Sequence, residues 1–144
     1  MSQVGEMKLQ KEIEGCIGDL IRTAEKLVTD LGDKIKSIEQ NQIRNVLAVA
    51  NSAPHVAVVT NFIRYQMGRS GAPGKAWKNT GLGKAVIDAI EGSMSRIAGK
   101  AAEKSGYNVD EVQVRLTRLL LGFMNRRYVY EADEAGQHKK GERE

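Results

Sequence analysis

Apolar residues in the first forty positions recur at the i, i+3, i+4 spacing of a helix face. Leu9, Ile13, Cys16, Ile17, Leu20, Ile21, Ala24, Leu27, Val28, Leu31, Ile35 and Ile38 follow the pattern, and charged residues fill the opposite side. A strand would need alternation with period two, and alternating β-branched and aromatic residues are scarce here. Aromatics make up only 5% of the chain, and helix formers dominate. Gly15, Gly18 and Gly32 weaken the local helical preference, so this stripe needs other helices to pack against. The expected fold is all-α, a compact bundle of about five helices. Cys16 lies on the apolar stripe and reads as a small core residue rather than a reactive thiol.

Four further helices follow from the same periodicity. A short one spans Asn41 to about Ala50, with Ile43 and Leu47 facing inward. Asn51-Ser52-Ala53-Pro54 breaks it, and Pro54 suits the first turn of the next helix, which runs to about Arg69. Val58, Val59, Phe62, Ile63 and Met67 form the expected apolar face of that third helix. Ser70 to Gly83 reads as a loop, because glycines, Pro73, Ser70 and Asn79 cluster there. Trp77 in this loop has two readings: a plug in the core, or an exposed ring for stacking or docking. The fourth helix runs from Leu82 to about Lys104 and stops near Ser105-Gly106. Asn108 and Glu111 resemble a capping box that opens the fifth. Val112, Leu116, Leu119, Leu120 and Phe123 form its stripe to about Glu131. Residues 1–132 are thus expected to form one helical domain, and 133–144 a charged, frayed tail.

Composition excludes several function classes. A hydrophobic fraction of 41% over 144 residues is enough for a real core and too high for global disorder. No apolar run is long enough for a membrane helix, and the first ten residues show no signal-peptide core. One cysteine rules out a disulfide framework and a multi-cysteine metal site, and a cytoplasmic location is expected. Phosphate-binding, dinucleotide, zinc-protease and nucleophile-elbow motifs are absent. Gly81-Leu82-Gly83-Lys84 lacks the spacing of a P-loop, and Ala85 stands where a metal-binding hydroxyl is needed. His55 reads as a helix-start surface residue, and His138 lies in the tail. No enzyme, cofactor or metal is expected.

The charge is better organised than the chemistry. Residues 1–55 carry a net charge of −1, residues 56–130 carry +7 and residues 131–144 carry −2. A positive middle section points to a polyanionic partner, most often nucleic acid. Arg96, Lys100 and Lys104 recur along one face of the fourth helix. Arg115, Arg118 and Arg126 lie near one another on the fifth, with Gly122 between them as a possible point of close backbone approach. Arg64 and Arg69 flank Tyr65-Gln66-Met67-Gly68, and Lys75 and Lys78 bracket Trp77 in the basic loop. The planar fork of arginine suits phosphate, and phosphate contacts hold a partner without reading its sequence.

Gln42-Ile43-Arg44 opening a short helix, followed by Arg64-Tyr65-Gln66-Met67-Gly68-Arg69 before a loop and a long apolar helix ending in a tyrosine segment, resembles the small subunit of type III-A CRISPR effector (Csm) complexes. Asn41 stands where that family has Ser. Arg126-Arg127-Tyr128-Val129-Tyr130 replaces its Ala-Tyr-His-Lys-like C-terminal signature. The resemblance covers about residues 41–130. It implies a small non-catalytic helical bundle that binds guide RNA and target RNA beside other effector subunits and further copies of itself. It carries over to Arg44, Arg64, Gln66 and Arg69. Arg64 and Arg69 are the expected phosphate contacts, while Gln42 and Arg44 either touch RNA or buttress the fold. Lys75, Lys78, Arg96, Lys100, Arg118 and Arg126 are added as RNA contacts by charge alone. Two alternatives stand beside this reading: the small subunit of a type III-B complex, and a helical interaction adaptor without RNA binding.

Overall fold

The computed structural model describes residues 3–143, with side chains described through Gly136. Among the described residues every regular element is helical and no strand forms. α1 (Gln3–Thr29) is followed by a 3-10 segment, Gly32–Ser37. Gly32 has φ +54, a left-handed conformation that glycine adopts without strain, and the chain turns there. α2 (Gln40–Ser52) and α3 (Val56–Gly68) follow, then the single turn α4 (Ala72–Gly74) and a π-turn at Lys75–Asn79. α5 (Leu82–Ala89) passes through a second π-turn, Ile90–Met94, into α6 (Ser95–Ser105). α7 (Val109–Arg143) closes the fold.

Among the described residues there are therefore seven α-helical segments rather than about five. The helix expected from Leu82 to Lys104 is divided by a π-turn, and α4 arises inside the expected loop. That loop is helical for most of its length: Gly71 and Gly81 turn the chain at positive φ, whereas Gly74 and Gly83 serve packing. A Cβ on Gly74 would lie 2.2 Å from the Arg69 carbonyl oxygen. One on Gly83 would lie 2.7 Å from both the Met67 sulfur and the Trp77 carbonyl oxygen. These two positions let the turn sit directly on the end of α3. Trp77 is 1% exposed, so it is a core plug.

Helix starts are set by specific caps. Asn108 Oδ1 accepts from the backbone N–H groups of Asp110 (2.9 Å) and Glu111 (3.1 Å), as its position predicts. The Glu111 carboxylate turns to Arg115 instead of closing a capping box. His55 caps α3, its Nδ1 accepting from the Ala57 N–H at 3.0 Å. Pro54 consequently precedes the cap and lies outside the first turn.

α7 is the central helix, packed on α1, α2 and α6. This explains why Val112, Leu116, Leu120, Leu121 and Met124 are all buried: the middle of α7 is enclosed on several sides rather than along one stripe. Leu119 and Phe123, expected in the core, are only partly covered. α1 contributes Leu9, Leu20 and Ala24, α2 contributes Ile43 and Val46, and α3 contributes Ile63. Val58 is 43% exposed and leaves the expected face of α3. Cys16 is half-buried against the core with its thiol donating to the Ile13 carbonyl at 3.2 Å, and burial pushes that thiol up from its ordinary pKa.

Polar ties join α1 to α7. Glu6 accepts from the Tyr107 hydroxyl just before α7 and from Arg115 at 2.9 Å. Glu25 accepts from Arg127. The Tyr128 hydroxyl donates to the Ile38 carbonyl just past the 3-10 segment. Residues 133–143 continue α7 as helix, while the side chains of 137–144, including His138, lie outside the described residues.

Candidate nucleic-acid interface

The two short motifs meet in space. Ile43 is buried, which fixes the rotation of α2 and sends Asn41, Arg44 and Asn45 to the exposed side. Gln42 is 8% exposed, and its Oε1 accepts from the Glu39 N–H at 2.8 Å. At the end of α3, Gln66 is 6% exposed and its Oε1 accepts from Arg69 Nη1 at 3.2 Å. Between these helices lies a hollow of about 220 Å³. Asn41, Gln42 and Asn45 line it from one side, and Gln66, Arg69 and Trp77 from the other. Glu39, Ala72 and Pro73 complete its rim.

Arg69 stands between two surfaces. One is the hollow. The other is an aromatic stripe on α3, where the Arg69 guanidinium lies 5.4 Å from the Tyr65 ring centroid and Tyr65 lies 6.3 Å from Phe62. Val58, Phe62 and Tyr65 follow i, i+4, i+7 spacing, so they share one outward face. Tyr65 is 58% exposed. Arg64 turns the other way and pairs with Glu91 in the second π-turn at 3.0 Å, both half-exposed. Lys75 and Lys78 are exposed on the first π-turn, outside the residues that line the hollow.

A second group lies along α7. Arg126 is exposed, 5.8 Å from the Phe123 ring centroid. It shares a groove of about 280 Å³ with Leu47 and Asn51 of α2 and with Arg118, Leu119 and Gly122. Arg44 precedes Leu47 by three residues and Asn51 by seven, which places it on the same side of α2 as this groove. Arg44 therefore sits between the two groups. A Cβ at Gly122 would meet nothing within 4 Å, so no backbone approaches it within the chain. Arg118 is half-buried and donates to the Ala50 and Ala53 carbonyls at the end of α2. Arg115 is held by Glu6 and Glu111. Arg96 and Lys100 are exposed on α6, and Lys104 pairs with Glu12 at 3.7 Å. None of the α6 cations lines the hollow.

The hollow adds Asn41 and Asn45 to the candidate residues, neither of which the charge pattern marks as a contact. Their i, i+4 spacing beside Gln42 was the available signal, but only the packing of α3 and Trp77 turns it into a cavity wall. Among the described residues no group of three His, Cys, Asp or Glu side chains could hold a metal ion, and no helix is long and apolar enough to cross a membrane. No protein-family model matches the chain, and neither a curated protein nor a solved structure does so.

Proposed function

We propose that this chain is the non-catalytic small subunit of a type III-A CRISPR effector complex, working in the cytoplasm. It binds the backbone of guide RNA and target RNA and packs against other effector subunits and further copies of itself. The observation that carries this reading is the convergence of Gln42 from the first motif and Gln66 and Arg69 from the second on one hollow, with the exposed Arg44 beside it on α2. A guide-bearing machine assigns sequence recognition to base pairing, so its proteins need only hold geometry and backbone. A basic module of this size supplies weak, salt-sensitive contacts, and assembly multiplies them. Within the reading, Arg44, Arg69 and Arg126 have exposed guanidinium groups for phosphate. Arg64 must exchange its Glu91 partner to join them, and Arg118 acts through the fold.

The outward stripe of exposed Val58 and Tyr65, with the half-buried Phe62 between them, favours a second reading, a protein-interaction adaptor. Recovery of the tagged chain from its host, followed by sequencing of the RNA that accompanies it, separates the two. Short RNAs that begin with a CRISPR repeat-derived handle are the expected result. A stoichiometric protein partner with no such RNA overturns the effector reading and leaves the adaptor.

A further inference from the structure

We propose that the hollow between α2 and α3 receives a single unpaired nucleobase of the bound RNA. The inference rests on the RNA-binding reading above and adds a base contact to the backbone contacts. Its size sets the ligand class. Cavities that enclose drug-sized molecules measure roughly 300–1,000 Å³, so about 220 Å³ accommodates one ring system rather than a peptide or a dinucleotide.

The lining specifies the chemistry. Gln42 and Gln66 are both more than nine-tenths buried, and the oxygen of each is already engaged, by the Glu39 N–H and by Arg69. Those bonds fix both amides and leave the NH₂ groups as the donors a ligand can meet. Asn41 and Asn45, one turn apart at the mouth, each offer a donor and an acceptor. The Glu39 carboxylate at the rim is an acceptor only. Neutral donors and acceptors converging on a cavity with the buried Trp77 at its floor and Pro73 at its rim match the hydrogen-bonding edge of a base. A phosphate fits poorly, because the Glu39 carboxylate at the rim repels it. Phosphate contact falls to Arg69 at the rim, which holds the hollow on one side and the Tyr65 ring on the other.

Trp77 is the sole tryptophan, so its fluorescence reports on this cavity alone. The full chain is titrated at low salt with a short single-stranded RNA of mixed sequence, and with the same ribose-phosphate chain made abasic. Base-bearing RNA is expected to shift the Trp77 emission and to bind about tenfold more tightly than the abasic chain, the scale of one stacked base. Asn45→Leu and Ala72→Phe fill the hollow from exposed positions without altering charge. Both should lose the emission shift and most of the preference for bases, keep the salt-dependent affinity for the abasic chain, and retain the thermal midpoint of the parent. A preference for bases that survives both variants assigns it to stacking on Tyr65 and overturns the hollow as its site. Equal binding of the two RNAs overturns the base site while leaving the RNA reading intact. Absence of binding to either RNA overturns the RNA reading and the base site with it.

Discussion

Arg118 reaches from α7 across the end of α2 and donates from its Nε to the Ala50 carbonyl at 2.8 Å. Its Nη2 donates to Ala53 at 3.0 Å. Terminal carbonyls of a helix have no partner within it, and a cation there also opposes the negative end of the helix dipole. Arg118→Met should therefore cost about 2 kcal/mol of stability, because two charge-assisted hydrogen bonds are lost together. Denaturant titration measures this. RNA affinity of the fraction that remains folded should stay near that of the parent.

Gly83 and Gly99 should respond in opposite ways to alanine. At Gly83 the new Cβ meets the Trp77 carbonyl at 2.7 Å, and overpacking of this kind costs about 1–3 kcal/mol. At Gly99, inside α6, a Cβ meets nothing within 4 Å, so the lower conformational entropy of the unfolded alanine chain should stabilise the fold by about 1 kcal/mol. Thermal unfolding of the two variants in parallel checks the pair.

Arg64→Ala, Arg69→Ala and Arg44→Ala should each reduce RNA retention with little change in stability. The Arg64–Glu91 pair is half-exposed, and such pairs contribute about 0–1 kcal/mol. Each variant should lower the slope of log affinity against log salt by about one if the lost contact is a phosphate. An unchanged slope in all three would remove these arginines from the interface.

Glu6 gives the fold an acid-sensitive tie. Hydrogen bonds from Arg115 and from the Tyr107 hydroxyl hold its carboxyl below the ordinary value of 4.5. A group whose pKa is depressed by folding contributes stability that is present above the unfolded value and is lost as pH falls through the folded one. The parent should therefore weaken from about pH 4.5 downward, and Glu6→Gln should be less stable at neutral pH with a flatter acid limb. Unfolding curves taken between neutral and acidic pH give both slopes.

The stripe from Leu9 to Val28, the cap at Asn108 and the apolar residues of α7 were readable because each signal is local. Residues a turn apart report on one helix face without knowledge of the partner. The segment from Ser70 to Gly83 departs from the loop its composition predicts for a physical reason. Glycine marks a turn and a close contact with the same letter, and only the position of Arg69 and Met67 shows that Gly74 and Gly83 are contacts. The division of the helix at Ile90–Met94 left no mark in the periodicity of Val86, Ile87, Ile90 and Met94. For the candidate site, Gln66 and Arg69 stood out by motif, whereas the hollow joins them to Asn41 and Asn45 across more than twenty positions of chain. The place of Arg118 is not legible in the sequence, because charge alone does not reveal the Ala50 and Ala53 carbonyls at the end of another helix.

The packing of α1 on α7 has a consequence for biosynthesis. α1 leaves the ribosome well before its main partner α7, so at typical elongation rates the apolar surface that α7 covers waits on the order of ten seconds. The nascent chain is an exposed amphipathic helix for that time and a natural client for chaperones. A message broken before the codon for Tyr128 cannot make the bond to Ile38, and its product should be cleared by proteolysis rather than accumulate as a partial bundle.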